Sequence, residues 1–311
     1  MDTDTMKAVR VARFGGPETV KIERIPKPKP GTGEVLVRVE ACAINPIDWK
    51  LREGIFKDLK LPFTPGGDFC GSIEELGAGV TEYEKGQAVY GCAPGSVGAD
   101  AEYVVCPTAN LASKPRVLGP IEAASVPLAA MTAWQGLYAH GGLESGQTVL
   151  ILGASGGVGS FAVQLAKLKG ARVIGTASAA NVDRVRGLGA DVVVPRGEGF
   201  VAAVRAAFPD GVDALIDAAL VGPAILPAVR DGGQLLAVRP FAGETERGIE
   251  IKLVLVSDYA TNQAALSELS RQAGAGELTL RVAGAFPAER AAEAHRIFDA
   301  GGVRGRLVLT F

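Results

Sequence analysis

The stretch INPIDWKLREG, residues 44–54, carries an amide, a carboxylate and two cations at Asn45, Asp48, Lys50 and Arg52. It directly follows VLVRVEACA, whose alternation of apolar and polar residues predicts a β-strand. Polar side chains at the end of a strand can form an ordinary turn, bind a metal ion or line a reaction pocket. The spacing alone does not decide among these three interpretations.

A glycine-rich turn in TVLILGASGGVGSFAVQLAKLKGARVIGTAS is the second candidate site. A buried strand is predicted to end at Leu152, and Gly153, Gly156 and Gly159 follow at every third residue before an amphipathic helix. Gly153 permits the sharp turn, Gly156 lets backbone N–H groups approach a pyrophosphate, and Gly159 allows the helix to pack closely on the strand. The helix N-terminus adds N–H donors for an anion. The predicted dinucleotide-binding loop also contains Ala154, Ser155, Gly157 and Val158.

The end of the following strand, ARVIGT, indicates which dinucleotide binds. An acidic residue there would bind the ribose 2′-hydroxyl of NAD, but the strand ends in Ala177-Ser178 without an acid. Ser178, Asn181 and Arg184 could instead receive a 2′-phosphate, Arg184 through a charge-assisted hydrogen bond. The sequence therefore predicts NADPH, although Asp183 beside Arg184 argues against it.

The two candidate sites lie in regions of different character. Residues up to about 120 are predicted as short strands separated by turns such as FGGPE and KPKPGTG. From Thr148 to about Leu255, the apolar runs TVLIL, ARVIGT, ADVVV, ALIDAA and GQLLAV alternate with helical patterns. This alternation predicts βαβ units on a parallel sheet that is buried on both faces. The chain continues with a predicted helix near Ala288–Ala300 and the apolar strand of RGRLVLTF.

The composition argues against several classes of function. A chain of 311 residues with 48% hydrophobic and 21% charged residues is typical of a globular protein of two domains. Lys and Arg number 32 against 34 Asp and Glu, a net charge of −2, so no basic surface for nucleic acid or an anionic membrane is predicted. The apolar runs are too short to span a bilayer. The four cysteines form no C-x-x-C pair, which predicts reduced thiols and a cytoplasmic protein.

The glycine-rich turn, INPIDWKLREG, PGGDFCGSIEELGAGV and AAEAHRIFDAGGVRGRLVLTF together resemble the medium-chain dehydrogenase/reductase superfamily. From Met6 to Phe311 the chain is similar to the zinc-free branch of quinone oxidoreductases and enone reductases. The resemblance implies an α/β fold. A GroES-like β-barrel catalytic domain would span residues 1–124, and a Rossmann NADP-binding domain with a doubly wound parallel sheet would span residues 125–262. Residues 263–311 would return to the catalytic domain. The resemblance also implies an active site in the cleft between the domains, and a homodimer formed through edge strands of the Rossmann sheet.

The ligands of the zinc-dependent relatives are missing from this sequence. Asn45 stands where they carry a cysteine, although Asp48 matches their aspartate, and Gly67 replaces a histidine ligand. The third ligand region, SVPLAAMTAW, has no thiol or imidazole, and the segment for a structural zinc is too short. Catalytic zinc needs three protein ligands and an open position, so no metal site is predicted. Cys42 is predicted to pack in the core.

The resemblance implies roles for the residues of the first stretch. Asn45 and Lys50 would face the nicotinamide and the substrate, Asn45 as a hydrogen-bonding residue and Lys50 as an enolate stabiliser or proton relay. Asp48 would hold the loop or Lys50. In the alternative interpretation Asp48 and Arg52 form a structural ion pair and Lys50 is solvated. Phe56 stands where many quinone oxidoreductases have a tyrosine, so it is expected to be an apolar wall of the pocket.

Further cofactor contacts are implied at the ends of the other predicted elements. Thr132 would contact the nicotinamide, unless its hydroxyl bonds its own helix backbone. Arg304 or Arg306 could reach the cofactor phosphate or lie on the surface, and His295 is expected to be packed. The residues that follow two further strands would contact the adenine and the nicotinamide ribose; they are Ala218, Val238, Arg239 and Pro240.

The predicted function is an NADPH-dependent, zinc-independent oxidoreductase that transfers hydride to a quinone or to the C=C bond of an α,β-unsaturated carbonyl. Without a Lewis acid nothing stabilises the alkoxide of an alcohol undergoing oxidation. Reduction of an enone mainly requires that the partners are positioned and that one developing oxyanion is stabilised. Two alternatives remain open: an enoyl reductase that acts on a larger, carrier-bound substrate, and a non-catalytic NADPH-binding sensor or interaction protein.

Overall fold

The computed structural model describes residues 4–255 and 261–311. These residues form two compact units. The first contains the described residues of the ranges 1–128, 260–275 and 280–311, and the second those of 129–259 and 276–279. The sequence places the domain boundaries after residues 124 and 262, whereas the units of the structure change after residues 128 and 259.

The first unit consists mainly of β-strands, with a few short helices. Its strands are β1 (Thr5–Val11), β2 (Val20–Pro26), β3 (Glu34–Ala43), β4 (Asp68–Leu76), β5 (Ala88–Cys92), β6 (Tyr103–Pro107), β7 (Leu111–Ser113), β14 (Val282–Pro287) and β15 (Arg306–Thr310). Its helices are α1 (Pro46–Arg52), α2 (Pro120–Ala124), α7 (Gln263–Gly274) and α8 (Ala291–Asp299).

Seven of these strands form one sheet in the order β14-β15-β3-β4-β5-β7, and β6 pairs with β3. All neighbours are antiparallel except β14 and β15. The alternating side chains of β3 explain its central position, because Val35, Val37 and Val39 are buried in the core of this unit. The chain's C-terminal strand β15 pairs with the end of β3 through Val308 and Ala43, so it lies directly beside the start of residues 44–54.

The hairpin of β1 and β2 forms a separate two-stranded sheet. It is joined to the rest of the unit by single bridges, from Ala8 to Ala101 and from Val11 to Phe63. The backbone of Asp100 is fixed by two hydrogen bonds, because its carbonyl oxygen accepts from the N–H of Val9 at 2.8 Å and its own N–H donates to Pro65 at 3.0 Å. The carboxyl group of Asp100 is thereby held inside the unit.

The second unit is a three-layer arrangement of helices on a parallel sheet. Its strands are β8 (Thr148–Leu152), β9 (Arg172–Ala177), β10 (Val192–Pro195), β11 (Val212–Asp217), β12 (Val229–Ala237) and β13 (Glu250–Leu253). Its helices are α4 (Gly157–Leu168), α5 (Val182–Gly187) and α6 (Phe200–Ala207). Helix α3 (Pro127–Trp134) begins at the boundary of the units and is continued by a π-helical segment, Gln135–His140.

The six strands run in the order β10-β9-β8-β11-β12-β13 and are parallel throughout. This is the doubly wound order, with its reversal between β8 and β11. The predicted parallel sheet is therefore confirmed, and its central strands are buried as expected, for example at Leu150, Leu215 and Leu235. Strand β13 was not predicted because its sequence EIKL has neither a continuous apolar run nor a buried face. Among the described residues no helix combines the length and apolar character needed to cross a membrane.

Candidate active site

The glycine-rich turn forms an open cradle between β8 and α4. Gly153 adopts a positive φ of 69°, a conformation that glycine adopts at no steric cost, and its N–H donates to Thr176 Oγ1 at 3.1 Å. Gly159 lies against the strand end so closely that a Cβ there would be 2.1 Å from the carbonyl oxygen of Gly153. Gly156 is exposed, and a Cβ on it would meet only that same oxygen, at 3.2 Å. These glycines have the conformations and spacings that a pyrophosphate cradle requires.

The start of α4 leaves its backbone donors available. Gly156 is the N-cap, it has no side chain to accept from them, and the first turn contains no acidic residue. Gly156 and Gly157 are exposed, whereas Ala154 is buried and Ser155 and Val158 are half-buried. An uncapped N-terminus of a twelve-residue helix carries partial positive charge and N–H groups directed at the solvent. An anion such as a pyrophosphate would satisfy these donors.

The other predicted cofactor contacts in this unit lie along the same edge of the sheet. Because β8, β9, β11 and β12 are adjacent and parallel, their carboxyl ends meet at one edge, where ligands bind in doubly wound folds. Ala218 follows β11, and its carbonyl oxygen is 3.4 Å from the position of a Cβ on Gly153. Val238, Arg239 and Pro240 follow β12, where Val238 is half-buried and the other two are exposed.

Thr132 lies in α3 and is buried. Its contact with the nicotinamide remains a prediction, as does the alternative that its hydroxyl hydrogen-bonds the backbone of its own helix. Sequence reasoning missed Asp217, the last residue of β11, whose carboxylate accepts the N–H groups of Val221 and Gly222 at 3.1 Å each. It thereby orders the loop that contains Ala218. A buried acid at the end of an apolar strand is the signal that could have identified it.

The ribose end of the predicted site is formed by β9 and α5. Ala177 ends β9 and is buried, while Ser178 is half-buried and its Oγ accepts from Asn181 Nδ2 at 3.0 Å. Arg184 is half-buried on α5. Asp183, the residue that argued against NADPH, is fully exposed and lies 3.9 Å from Arg186. Its charge is therefore partly compensated by a neighbour on the same helix.

Residues 46–52 form helix α1 rather than a loop. Pro46 occupies the first helical position, where its missing N–H costs nothing. Asp48 Oδ2 accepts the backbone N–H of Asn45 at 2.7 Å, which is the reciprocal half of a capping box. The prediction that Asp48 holds this segment therefore agrees with the structure, and its role is to fix the start of α1.

Asn45 belongs to a buried polar network in the first unit. Its Nδ2 donates to the carbonyl of Ala43 and to Asp68 Oδ2, both at 3.0 Å, and its Oδ1 accepts from Arg306 Nη2 at 2.5 Å. Arg306 Nη2 also donates to Asp68 Oδ2 at 3.1 Å, and the N–H of Leu128 donates to Asp68 Oδ1 at 2.7 Å. Burial raises the pKa of the Asp68 carboxyl to about 6, although Arg306 and Asn45 act to lower it.

This network contradicts two predicted roles. Asn45 has no exposed surface, and both its amide hydrogens and its oxygen are engaged, so it cannot hydrogen-bond a substrate directly. Arg306 is buried between Asn45 and Asp68, and therefore neither lies on the surface nor reaches a cofactor phosphate. Both residues position the elements around them.

Arg52 does not pair with Asp48, so the alternative interpretation, a structural ion pair between these two residues, is wrong. Arg52 is fully buried, its Nη2 lies 2.5 Å from Asp299 Oδ2, and its Nη1 donates to the carbonyl of Gly15 at 3.2 Å. His295 is also fully buried, and burial, together with the charge of Arg52, lowers its pKa to about 4. The ring is therefore neutral and packed, as expected for His295.

Lys50 is the available functional group of the stretch. The residue is half-buried, and its ammonium has no hydrogen bond or ion pair to any residue in 4–255 or 261–311. Leu51, directly after it, is buried, whereas Trp49 before it and Ile55 and Phe56 after the end of α1 are exposed by 36%, 53% and 44%. An unpaired cation beside exposed apolar side chains suits a substrate that has one polar oxygen on an apolar body.

No group of three or more His, Cys, Asp or Glu side chains in the described part of the chain is arranged to hold a metal ion. Cys42 is fully buried in the core, as predicted, and burial raises the pKa of its thiol well above the ordinary value. Asp100 lies beside it. Burial raises the pKa of Asp100 to about 6, and neither of its oxygens has a hydrogen-bond partner of ordinary geometry in the described residues.

We expect Asp100→Asn to gain stability relative to the wild type as the pH rises. The pKa of Asp100 is about 6 in the folded protein, against its ordinary value of 3.8. The carboxyl's favourable contribution is therefore fully present below pH 3.8 and is lost as the pH rises through 6. Since one pKa unit corresponds to about 1.4 kcal/mol, the difference in unfolding free energy should change by roughly 2–3 kcal/mol between pH 4 and pH 8.

Urea unfolding of both proteins at the two pH values measures this change. Asp58→Asn, at an exposed position, is the matched control and should show no such dependence. A difference between Asp100→Asn and wild type that is the same at both pH values would show that Asp100 titrates normally.

With this geometry in place, comparison with known proteins gives the family. Residues 31–116 match the alcohol dehydrogenase GroES-like domain, and residues 157–257 match the zinc-binding dehydrogenase domain. A quinone oxidoreductase of Rattus norvegicus is 30% identical, covering 98% of this chain and 97% of the relative. The chain belongs to the medium-chain dehydrogenase/reductase superfamily, in its quinone oxidoreductase branch. Its predicted α/β fold, with a GroES-like domain and a Rossmann-like parallel sheet, is confirmed.

The matches to further relatives cover different shares of this chain and of each relative. The NADPH-dependent alkenal/one oxidoreductase, chloroplastic, of Arabidopsis thaliana is 32% identical over 98% of this chain and 79% of the relative. A chloroplastic quinone-oxidoreductase homolog of Spinacia oleracea is 37% identical over 62% of this chain. The match spans only 62% of that relative's length.

Two solved structures of the same type superpose on nearly the whole chain. The quinone oxidoreductase from Coxiella burnetii has a TM-score of 0.85 and 31% identity, and the match covers 99% of each chain. A mycobacterial protein complexed with NADPH has a TM-score of 0.87 and 29% identity, covering 98% of this chain and all of the other. This protein is therefore an enzyme of a family that binds pyridine nucleotides.

Proposed function

We propose that this chain is an NADPH-dependent, zinc-independent reductase of quinones or of the C=C bond of α,β-unsaturated carbonyls. The observation that carries the proposal is the cradle of Gly153, Gly156 and Gly159 with its uncapped helix start, because it has the shape and polarity for a pyrophosphate. The names of the relatives supply the reaction class: a quinone oxidoreductase and an NADPH-dependent alkenal/one oxidoreductase.

The residues along the strand ends fit a bound dinucleotide. The N–H groups of Ser155, Gly157 and Val158 at the start of α4 would hold the pyrophosphate, because those of Gly153, Ala154 and Gly156 donate within the protein. Ser178 and Arg184 would hold the 2′-phosphate. Thr132 and the segment Val238–Pro240 would contact the nicotinamide side. When bound, NADPH supplies the hydride from its nicotinamide ring. The absence of an acid at Ala177-Ser178 supports NADPH over NADH.

The polar network around Arg306 supports zinc independence. The two positions that correspond to zinc-ligand regions of relatives, Asn45 and Asp68, both contact Arg306 Nη2, at 2.5 and 3.1 Å. A divalent cation at these two oxygens would meet the positive guanidinium at close range. The arginine thus provides the positive charge that compensates Asp68, and Gly67 offers no further ligand atom.

The chain's own contribution to the reaction is assigned to Lys50. Hydride addition to the β-carbon of an enone places negative charge on the carbonyl oxygen, and an ammonium group stabilises that charge and can donate a proton to the enolate. The unpaired state of Lys50 among the described residues and its exposed apolar neighbours support this role. Asn45 and Asp48 are assigned positioning roles, because they fix the start of the helix that carries Lys50.

A turnover assay with NADPH and a panel of small enones and quinones tests the proposed function. We expect NADPH oxidation with at least one member of the panel, and a loss of roughly 10²–10³-fold in kcat for enones in Lys50→Met, as for removal of one oxyanion donor. Lys57→Met, at an exposed lysine nearby, is the matched control and should retain wild-type rates. Unchanged kcat in Lys50→Met would exclude the role of Lys50.

The same assay separates the alternatives. A non-catalytic NADPH-binding protein would bind the nucleotide and show no turnover with any member of the panel, whereas an enoyl reductase would act on carrier-bound acyl substrates and leave small enones unreduced. The homodimer also remains a proposal. It is supported by the edge strand β13, whose outer side has no strand partner in the described residues, and by exposed Leu253 and Leu255 beside it.

A further inference from the structure

Arg196 is an unpaired cation at the ribose end of the parallel sheet. It directly follows β10, and its backbone N–H donates to the carbonyl of Ala177 at 2.9 Å. Since Pro195 is in register with Ala177 as well, Arg196 lies alongside the end of β9, next to Ser178. The residue is exposed, and its guanidinium has no hydrogen bond or ion pair within residues 4–255 and 261–311.

In a doubly wound sheet the end of the second strand lies beside the adenosine ribose of a bound dinucleotide. The 2′ substituent of the adenosine ribose lies outside the carboxyl end of the second strand, which is β9 here. Strand β10 is the edge strand beyond β9, so no further strand competes for the groups at its end. Pro195 has no N–H to offer, and Arg196 is therefore the first donor that β10 presents beside Ser178.

The local charge balance leaves this end of the sheet positive. Arg184 belongs to α5, which packs on both β9 and β10. The acid of α5, Asp183, lies near Arg186, at 3.9 Å. Asp191, which precedes β10, forms a bidentate contact with Lys167 at 2.9 and 3.0 Å, at the opposite end of the strand. Glu198 is the remaining nearby acid, and it has no ion pair with Arg196 within the described residues.

We propose that Arg196 binds the 2′-phosphate of the cofactor and is a determinant of the preference for NADPH over NADH. Arg184 from α5 and Arg196 from the end of β10 then approach the phosphate from two elements, with the hydroxyl of Ser178 between them. A guanidinium suits this role because its fixed array of donors matches two phosphate oxygens at once. This inference rests on the proposed function, since it requires that the chain binds a dinucleotide.

The decisive experiment measures nucleotide affinity rather than turnover. Wild type, Arg196→Gln and Arg196→Lys are each titrated with NADPH and with NADH and followed by nucleotide fluorescence. Each of the two variants is then compared with the wild type for each nucleotide. We expect Arg196→Gln to weaken NADPH binding roughly 10- to 100-fold, as for a lost charged hydrogen bond, and to leave the NADH Kd within about twofold. Arg196→Lys should recover part of the loss, because it keeps the charge without the planar fork.

Two further readouts isolate the phosphate itself. Adenosine 2′,5′-bisphosphate and 5′-AMP differ only in the 2′-phosphate, so Arg196→Gln should weaken competition by the first and leave the second unchanged. The effect should also shrink below about pH 6, where the dianionic phosphate takes up one proton and becomes a monoanion. Arg116→Gln, at an exposed arginine of the first unit, is the matched control and should bind all four nucleotides like the wild type.

The possible failures are distinguishable. If the wild type binds neither NADPH nor NADH, the proposed function is wrong. If the wild type binds NADPH and Arg196→Gln binds it equally well, only the role of Arg196 is wrong. Equal losses for NADPH and NADH in a variant with a wild-type thermal melting curve would also overturn it, because they would indicate an effect on the shared part of the cofactor.

Discussion

Replacing Arg306 by methionine is expected to lower the free energy of unfolding by about 3–5 kcal/mol, the usual cost of removing one partner of a buried ion pair. Arg306 Nη2 contacts both Asn45 Oδ1 and Asp68 Oδ2, and Asp68 is fully buried. Without the guanidinium, Asp68 keeps only neutral donors, from Asn45 and the backbone of Leu128. The methionine fills most of the space, so the loss reports the charge and the hydrogen bonds rather than a cavity.

Urea unfolding at pH 7 measures this loss. Arg304→Met is the matched control, because Arg304 is exposed two residues earlier in the same segment and should cost less than about 0.5 kcal/mol. Asp68→Asn combined with Arg306→Met should recover part of the stability, since it removes the uncompensated carboxylate. A loss below about 1 kcal/mol for Arg306→Met alone would show that Asp68 is held as a neutral acid without the arginine.

The contrast between this network and the nucleotide cradle shows what the sequence could predict. The cradle is local: glycine spacing, a buried strand and an amphipathic helix lie within one stretch of the chain, and the conformations of Gly153 and Gly159 follow from that stretch alone. The network is not local, because Asn45 and Arg306 are 261 residues apart in the chain. Their meeting depends on the pairing of β15 with β3, which no spacing in the sequence reveals.

The same reasoning explains why the alternative interpretation, an ion pair between Asp48 and Arg52, is wrong. Asp48 and Arg52 are four residues apart, a spacing at which helical side chains can pair. Asp48 instead caps the helix through the N–H of Asn45, and Arg52 finds Asp299 on α8, 247 residues away. Arg196 was missed for a related reason. Its place beside Ser178 follows from the register of β10 on β9, and strand register is set by packing rather than by a local signal.

The second large effect is expected at the cradle, where Gly159→Ala should weaken NADPH binding by at least about tenfold, the upper end of the cost of one lost neutral hydrogen bond. An added Cβ would lie 2.1 Å from the carbonyl oxygen of Gly153 and 2.9 Å from the Cα of Ala154, and both are backbone atoms that cannot rotate away. The start of α4 must therefore move outward from β8. This displaces the N–H groups that would face the pyrophosphate.

The same displacement should cost about 1–3 kcal/mol of unfolding free energy, as for other overpacked sites. Gly187→Ala is the matched control: it also lies in a helix, nothing lies within 4 Å of its added Cβ, and it should leave both affinity and stability intact or slightly raised. NADPH titration and urea unfolding of both variants separate the two effects. If a folded Gly159→Ala variant bound NADPH like the wild type, the cofactor would not be held at this turn. The proposed function would then lose the observation on which it stands, because the cradle is formed by the turn between β8 and α4 at the reversal of the strand order.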